Sequence, residues 1–155
     1  MSLIIRHTLV GGGIVVLQWL VLGRLQFWGA FPDVVLLYVA LMGLRYGRLA
    51  GSVSGFALGF LMDAIYDTWG IQTFVKTLVG FLIGLFPAKE RESLLILPRQ
   101  AFLGVLVIAL LHNGLLAILF ALQAETRTMT LITVLWLGSA LYTAAVGTLV
   151  SSFAR

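Results

Sequence analysis

Several residue types that support chemistry are scarce or missing from this sequence. It contains no cysteine, and its 155 residues include only two histidines and three prolines. The absence of cysteine excludes disulfide bonds, thiol catalysis and cysteine-based metal sites. The two histidines are not accompanied by a closely spaced set of carboxylates, so a metal site is not expected either. With no phosphate-binding loop, dinucleotide fingerprint or catalytic motif, the chain is predicted to be a non-enzyme without a cofactor.

Charge is also scarce, and hydrophobic residues take its place. Charged residues make up 10% of the chain, hydrophobic residues make up 61%, and the mean hydropathy is +1.08. A soluble domain carries roughly 25% charged residues. The composition therefore predicts a single polytopic membrane domain, residues 1–155, with little chain outside the lipid bilayer. The net charge of +4 comes from basic residues scattered singly, which argues against a nucleic-acid partner.

Six apolar segments follow one another along the chain. Backbone that faces lipid has to satisfy its own hydrogen bonds, and the segments lack barrel-type alternation, so each is predicted to be a helix. Short connections predict antiparallel neighbours in a compact all-α bundle, although several segments are shorter than the ~20 residues of a standard span. The segments are about Thr8 to Gly23, Phe31 to Leu44, Leu49 to Ile65, Gly70 to Phe86, Arg99 to Leu122, and Met129 to Phe153.

The positions of lysine and arginine predict the orientation of these six transmembrane helices. The first segment has no convincing cleavage site and is predicted to be a retained span. Basic residues concentrate in cytoplasmic loops, so both termini are predicted to be cytoplasmic. That arrangement puts Arg6, Arg45, Arg48, Lys89, Arg91, Arg99 and Arg155 inside, and leaves Arg24 and Arg127 outside.

Two series of small or charged residues recur at four-residue spacing in the third and fourth segments. A four-residue step overshoots one helical turn by about 40°, so each series forms a slowly rotating stripe. In an antiparallel hairpin the two stripes are predicted to match, with an ion pair between Asp63 and Lys76. The series are Gly51, Gly55, Gly59 and Asp63, then Lys76, Gly80 and Gly84; the predicted pairs are Gly59 with Gly80 and Gly55 with Gly84.

Other polar residues have predicted structural roles. The sequence Phe31-Pro32-Asp33 is typical of a helix start, with the carboxylate at the positive end of the helix dipole. His112 and Asn113, near the middle of the fifth segment, are expected to have an interhelical hydrogen-bonding partner. In the sixth segment, Ser139, Thr143, Gly147 and Ser151 form a second stripe of small residues, predicted to pack inside the bundle or against a partner's helix.

Pro32-Asp33, Gly51, Gly55-Phe56, Gly59, Asp63 and Gly70, in this order, resemble MreD, the small polytopic subunit of the bacterial rod-shape system. The resemblance covers about residues 31 to 84. It implies a non-enzymatic scaffold in the bacterial cytoplasmic membrane and a fold similar to the S-components of energy-coupling-factor transporters. The implied partner is MreC, a single-span protein, with MreB, RodZ, RodA and a class B penicillin-binding protein acting indirectly. The marked positions fall on Pro32, Asp33, Gly55, Gly59, Asp63 and Gly70.

Two functions are compatible with these residues. In the first, Gly55 and Gly59 border a groove that a partner's transmembrane helix fills, with Asp33 and Asp63 fixing its register. In the second, the same bundle is a small-molecule-binding subunit of a transporter that takes a vitamin-like ligand. Its ligand groups are then expected to be Asp63, Lys76, His112 and Asn113. Asp63 is open to a third interpretation, a hydrated carboxylate at a helix end.

Overall fold

The computed structural model describes residues 3–86, 98–123 and 133–153, which form six α-helices and no β-strand. The prediction of an all-helical chain is confirmed. The charged loop from Pro87 to Glu92 and the predicted start of the last segment at Met129 lie outside the described residues. The helices are α1 (Leu3–Leu20), α2 (Val34–Tyr46), α3 (Arg48–Tyr66), α4 (Ile71–Ile83), α5 (Pro98–Gln123) and α6 (Ser139–Phe153).

Two short segments modify the ends of these helices. A 3-10 turn, Leu22–Arg24, follows α1. A π-helical segment, Val134–Gly138, leads directly into α6. Such π segments are rare and recur at functional sites.

Three of the described helices are long and apolar enough to cross a membrane. They span Ile5–Arg24, Arg48–Tyr66 and Phe102–Leu122. By contrast, α2 and α4 have only 13 residues each, which corresponds to a length of about 20 Å. The described part of the chain is therefore compatible with a helical membrane protein and combines long and short helices.

The short helix α2 lies at the centre of the bundle. It contacts all five of the other described helices, and the side chains of Val35, Leu36 and Val39 are fully buried. Continuous burial around a short helix explains why its apolar residues do not form a single stripe. The two most extensive helix pairs, α3 with α4 and α5 with α6, pack around it.

Helices α3 and α4 form an antiparallel hairpin with direct backbone contact. A Cβ atom added at Gly51 would lie less than 3.0 Å from the backbone of Gly80, and one at Gly55 would lie equally close to the backbone of Lys76. At Gly59 the obstructing backbone belongs to Thr73. The prediction that glycines permit close approach of these two helices is therefore confirmed.

The register of the hairpin differs from the predicted one. Gly80 packs against Gly51 and not against Gly59, and Gly84 packs against Arg48 and not against Gly55. The contact of Gly80 is thus displaced by eight residues, about two helical turns, along α3. The matched spacing of the glycines allowed several registers, because a stripe with a four-residue repeat can slide by whole turns. The connecting turn selects among them.

This turn places the start of α4 beside the last turn of α3. Asp67 ends α3 in the left-handed conformation, with φ 54°. The chain then reverses, and the first N–H groups of α4 reach the carboxylate of Asp63. Because α4 begins at the level of Asp63, each residue of α4 lies beside an earlier residue of α3 than the glycine stripes predicted.

Candidate functional site

A buried ionic and polar cluster joins α2, α4 and α5, with Lys76 at its centre. The side chain of Lys76 is fully buried, and its Nζ atom lies 2.7 Å from Asp33 Oδ2. The same nitrogen lies 2.7 Å from Gln72 Oε1 and 3.2 Å from His112 Nε2. His112 in turn contacts the side chain of Asn113. We refer to Asp33, Gln72, Lys76, His112 and Asn113 as the polar cluster.

Asp33 is positioned by the start of α2. It is the N-cap residue, and its Oδ1 atom accepts a hydrogen bond of 2.8 Å from the backbone N–H of Leu36. Its own backbone N–H donates to Thr143 Oγ1 at 3.0 Å. One carboxylate oxygen thus caps the helix while the other receives the ammonium group of Lys76. The predicted placement of the Asp33 carboxylate at the helix start is confirmed, but the first helical residue is Val34, so Pro32 lies before the N-cap and not at the first helical position.

The segment before Asp33 is held by α1 and α6. Gln18 of α1 donates from Nε2 to the carbonyl of Pro32 at 2.8 Å and accepts at Oε1 from the N–H of Val34 at 2.9 Å. From α6, Ser139 Oγ accepts a hydrogen bond from the N–H of Phe31. Sequence reasoning assigned no role to Gln18. The signal in the sequence was a polar amide within a predominantly apolar first segment, and the structure shows that its side chain is fully buried.

The arrangement around Lys76 determines the tautomer of His112. The ammonium group has three N–H donors and no acceptor, and it directs them to Asp33, Gln72 and His112. His112 Nε2 must then accept, which puts the ring proton on Nδ1, 2.9 Å from Asn113 Oδ1. The interhelical partner predicted for His112 and Asn113 is therefore Lys76. The buried cation is compensated by a carboxylate and two neutral acceptors.

Asp63 is not part of this cluster, and the predicted ion pair between Asp63 and Lys76 is wrong. The Asp63 carboxylate accepts hydrogen bonds from the backbone N–H groups of Gln72 at 3.0 Å and Thr73 at 2.8 Å. The hydroxyl groups of Thr68 and Thr73 donate to it as well. Asp63 thus caps the N-terminus of α4 from the neighbouring helix, where a negative charge also meets the positive end of the helix dipole. The register of the hairpin carries Lys76 away from Asp63 and toward Asp33.

Gly70 has a conformational role immediately before α4. Its φ angle is +88°, and a Cβ atom there would meet nothing within 4 Å. The preceding Trp69 also has a positive φ of 49°, and the N–H of Ile71 donates to the carbonyl of Thr68 at 3.1 Å. Two successive residues with positive φ define a type I′ turn.

The connection between α1 and α2 contains a second turn of the same kind. Phe27 and Ala30 exchange backbone hydrogen bonds of 2.9 Å, and the residues between them, Trp28 and Gly29, have φ angles of 54° and 88°. Both turns therefore contain a Trp-Gly pair in the left-handed conformation. The tryptophans are the most exposed large hydrophobic side chains of the described residues, at 91% for Trp28 and 85% for Trp69.

Gly55 and Gly59 do not border an open groove. Both face the backbone of α4 at distances that leave no room for a Cβ atom. A partner's transmembrane helix cannot reach them without separating α3 from α4. The prediction that these two glycines line a partner's groove is therefore wrong, and their role is to close the hairpin.

The six positions that the resemblance to MreD marks all support the local structure. Pro32 and Asp33 begin α2, the two glycines close the hairpin, and Asp63 and Gly70 organise its turn. No family model, curated protein or solved structure matches the chain. The function must therefore be inferred from these residues and from the polar cluster.

Two cavities are present among the described residues, and the smaller one is lined in part by the polar cluster. The larger is an open apolar cavity of about 610 Å³ lined by Phe27, Trp28, Ala30, Val134, Gly138 and Tyr142. The smaller, about 30 Å³, is more enclosed and is lined by Phe31, Gln72, Asn113, Leu116, Ala117, Phe120, Leu135 and Ser139. Among the described residues, no group of three or more histidine and acidic side chains could hold a metal ion.

Proposed function

We propose that this chain is a non-enzymatic, MreD-type scaffold subunit of the bacterial rod-shape complex. It binds a single-span MreC-like protein and helps to couple MreB filaments to peptidoglycan synthesis, with RodZ, RodA and a class B penicillin-binding protein as indirect partners. The observation that carries the proposal is the engagement of the buried polar groups with one another. Lys76 uses its three donors within the bundle, and the cavity that Gln72 and Asn113 line measures about 30 Å³. Small-molecule sites typically occupy about 300–1,000 Å³.

The proposal places six transmembrane helices in the bacterial cytoplasmic membrane, with both termini in the cytoplasm. The three long apolar helices are compatible with full spans. The shorter α2 is covered by its neighbours, so its limited length does not expose backbone ends to lipid. In this orientation Asp33, Asp63 and the two Trp-Gly turns face the outer side, where exposed tryptophans suit the membrane interface.

The MreC-like helix has to bind an exposed face, because the glycines of the hairpin are covered by α4. Exposed apolar side chains are available on α1, at Leu9 and Val16, and on α5, at Leu103 and Val107. The chain contains no charged residue from Leu9 to Val16 or from Leu103 to Val107, which fits a partner that is itself a transmembrane helix.

Site-specific photocrosslinking tests this proposal. A photoreactive amino acid is introduced at Leu9, Val16, Leu103 or Val107, and the chain is co-expressed with MreC from the same bacterium. The fully buried Val79 is the matched control position. We expect a crosslink to MreC from one exposed face, none from Val79, and co-purification of the two proteins in mild detergent. A folded chain that gives no crosslink from any face and captures no MreC would contradict the scaffold function.

The rival function, a subunit that binds a vitamin-like ligand, relied on Asp63, Lys76, His112 and Asn113. Asp63 instead caps α4, and Lys76 and His112 bind each other. The open cavity has a suitable volume of about 610 Å³, yet none of these residues lines it. Native mass spectrometry of the purified protein separates the two functions, since a stoichiometric vitamin-sized ligand would favour the rival.

A further inference from the structure

The small cavity beside the polar cluster contains a hydrogen-bond donor without an acceptor. Asn113 is 5% exposed, and among the described residues its Nδ2 atom has no hydrogen-bond partner. Leaving a buried donor unsatisfied costs about 1–3 kcal/mol. The orientation of the amide is determined by its other atom, because Oδ1 accepts from His112. Turning the amide over would place its N–H₂ group against the proton of His112 Nδ1.

The cavity has the size and the polar lining that a bound water molecule requires. Its volume is about 30 Å³, whereas a water molecule needs about 10–15 Å³ and two to four polar partners. Besides Asn113, the lining includes Ser139 and Gln72. Ser139 Oγ accepts from the N–H of Phe31, so its own hydroxyl proton remains available for donation into the cavity.

The small cavity and the open one are lined by neighbouring residues of the same segments. The first member of each pair lines the open cavity and the second lines the small one. The pairs are Ala30 and Phe31, Val134 and Leu135, and Gly138 and Ser139. Two of these pairs belong to the π-helical segment and the residue that follows it. Phe31 and Leu135 therefore line the small cavity directly beside residues that line the open one.

We propose that the small cavity is a hydration site, in which a water molecule accepts hydrogen bonds from Asn113 Nδ2 and Ser139 Oγ. The water enters from the open cavity between Phe31 and Leu135. This water molecule completes the hydrogen bonding of the polar cluster. The buried charges are therefore hydrated from the end of the bundle near Trp28. This site is independent of the proposed partner and of its binding face.

The absence of cysteine from the chain allows a direct test by single-cysteine accessibility. The purified full-length protein in detergent is treated, in chloride-free buffer, with Ag⁺ or with a bulky cationic methanethiosulfonate. Gly138→Cys samples the open cavity and Ser139→Cys samples the small one. Ala144→Cys is the matched control, since Ala144 lies on the same helix and is fully buried, outside both linings.

We expect Gly138→Cys to react with both reagents and Ser139→Cys to react with Ag⁺ alone. The Ag⁺ reaction of Ser139→Cys should be at least about tenfold faster than that of Ala144→Cys, a difference of about 1.4 kcal/mol in accessibility. Combining Phe31→Ala with Ser139→Cys should accelerate the Ag⁺ reaction further. Leu135→Cys replaces Ser139→Cys if the latter fails to fold. An Ag⁺ reaction of Ser139→Cys no faster than that of Ala144→Cys would overturn the hydration site. If Phe31→Ala does not accelerate this reaction, the entry route between Phe31 and Leu135 is overturned.

Discussion

Lys76 Nζ lies 2.7 Å from Asp33 Oδ2, and this contact joins the middle of α4 to the N-cap of α2 across 43 residues of sequence. The side chains of the pair are 0% and 6% exposed. At such burial the cost of desolvating two charges offsets much of their attraction, and removing one partner strands the other charge. The pair therefore contributes specificity to the packing of α2 and α4 and makes the bundle sensitive to single substitutions.

Removal of both charges should destabilise the protein by less than the sum of the two single removals. Lys76→Met or Asp33→Asn alone should lower the free energy of unfolding by about 3–5 kcal/mol, because each leaves an unpaired buried charge. Asn at position 33 keeps the ability to cap α2. The double variant should lose less than the sum of the two single losses. Reversible unfolding in mixed detergent micelles measures the cycle, and additive losses would show that the two charges do not interact.

The carboxylate of Asp63 should be needed for the turn of the hairpin. Asp63→Asn replaces one acceptor oxygen with an N–H₂ donor, which cannot accept from the N–H groups at the start of α4. Asp63→Ala removes both acceptor oxygens and with them the cap. We expect a loss of about 0.5–2 kcal/mol for Asp63→Ala, the usual cost of a lost helix cap, or more because the group accepts from several donors. Asp67→Asn, in the same turn, is the control, since Asp67 is exposed and its left-handed conformation suits asparagine.

The measurement for these variants is the midpoint of thermal unfolding in detergent. Asp63→Asn should unfold at a lower temperature than the wild type and Asp67→Asn at nearly the same temperature. Equal midpoints for the two asparagine variants would contradict the capping role of Asp63.

The sequence predicted Asp63 and Lys76 as the exceptional residues of the hairpin but paired them incorrectly. Both stand out because ionisable groups within apolar helices are costly. Their pairing depended on the register, and a four-residue repeat of glycines is compatible with several registers. The deciding interaction, between Asp63 and the first N–H groups of α4, involves backbone and leaves no pattern in the side chains.

Glycine should be required for folding at position 55, whereas alanine should be tolerated at position 13. In Gly55→Ala the new Cβ atom would overlap the backbone of Lys76, whereas at Gly13 nothing lies within 4 Å of it. Gly55→Ala should therefore lower the unfolding temperature or prevent folding, and Gly13→Ala should leave it unchanged or raise it slightly. Size-exclusion profiles and thermal unfolding of the two variants provide the comparison. Equal behaviour would mean that α3 and α4 are not in backbone contact.

Gly70 should be required for its backbone conformation alone. A side chain would have open space there, but φ +88° places it in the left-handed region, which costs other L-residues roughly 1–2 kcal/mol. Gly104→Ala is the matched control, because its Cβ atom also meets nothing within 4 Å and the residue lies within α5. We expect Gly70→Ala to lower the free energy of unfolding by about 1 kcal/mol or more and Gly104→Ala to have no destabilising effect. A tolerated Gly70→Ala would contradict the type I′ turn.

The short helices and the polar cluster show what local sequence signals can and cannot provide. Pro32-Asp33 correctly marked the start of α2, because helix starts have local chemistry. The stripe in the last segment was predicted to pack inside the bundle or against a partner's helix, and the structure shows the first alternative at Ser139, Thr143 and Gly147. The side chain of Ser151 lies outside the described part of the chain. The meeting of Asp33, Lys76 and His112 was not predicted, since it depends on three helices that are distant in sequence. Gln18 was missed as the residue that holds this start in place.

The spacing of the polar cluster along the chain also sets the order in which its members are synthesised. A protein is synthesised from its N-terminus, so Asp33 emerges 43 residues before Lys76, and His112 follows Lys76 by another 36. The N–H of Leu36, only three residues after Asp33, is the partner of its carboxylate that is made first. The contacts of Asp63 reach only nine and ten residues ahead, so we expect the hairpin to close before His112 is present to enclose the ammonium group of Lys76.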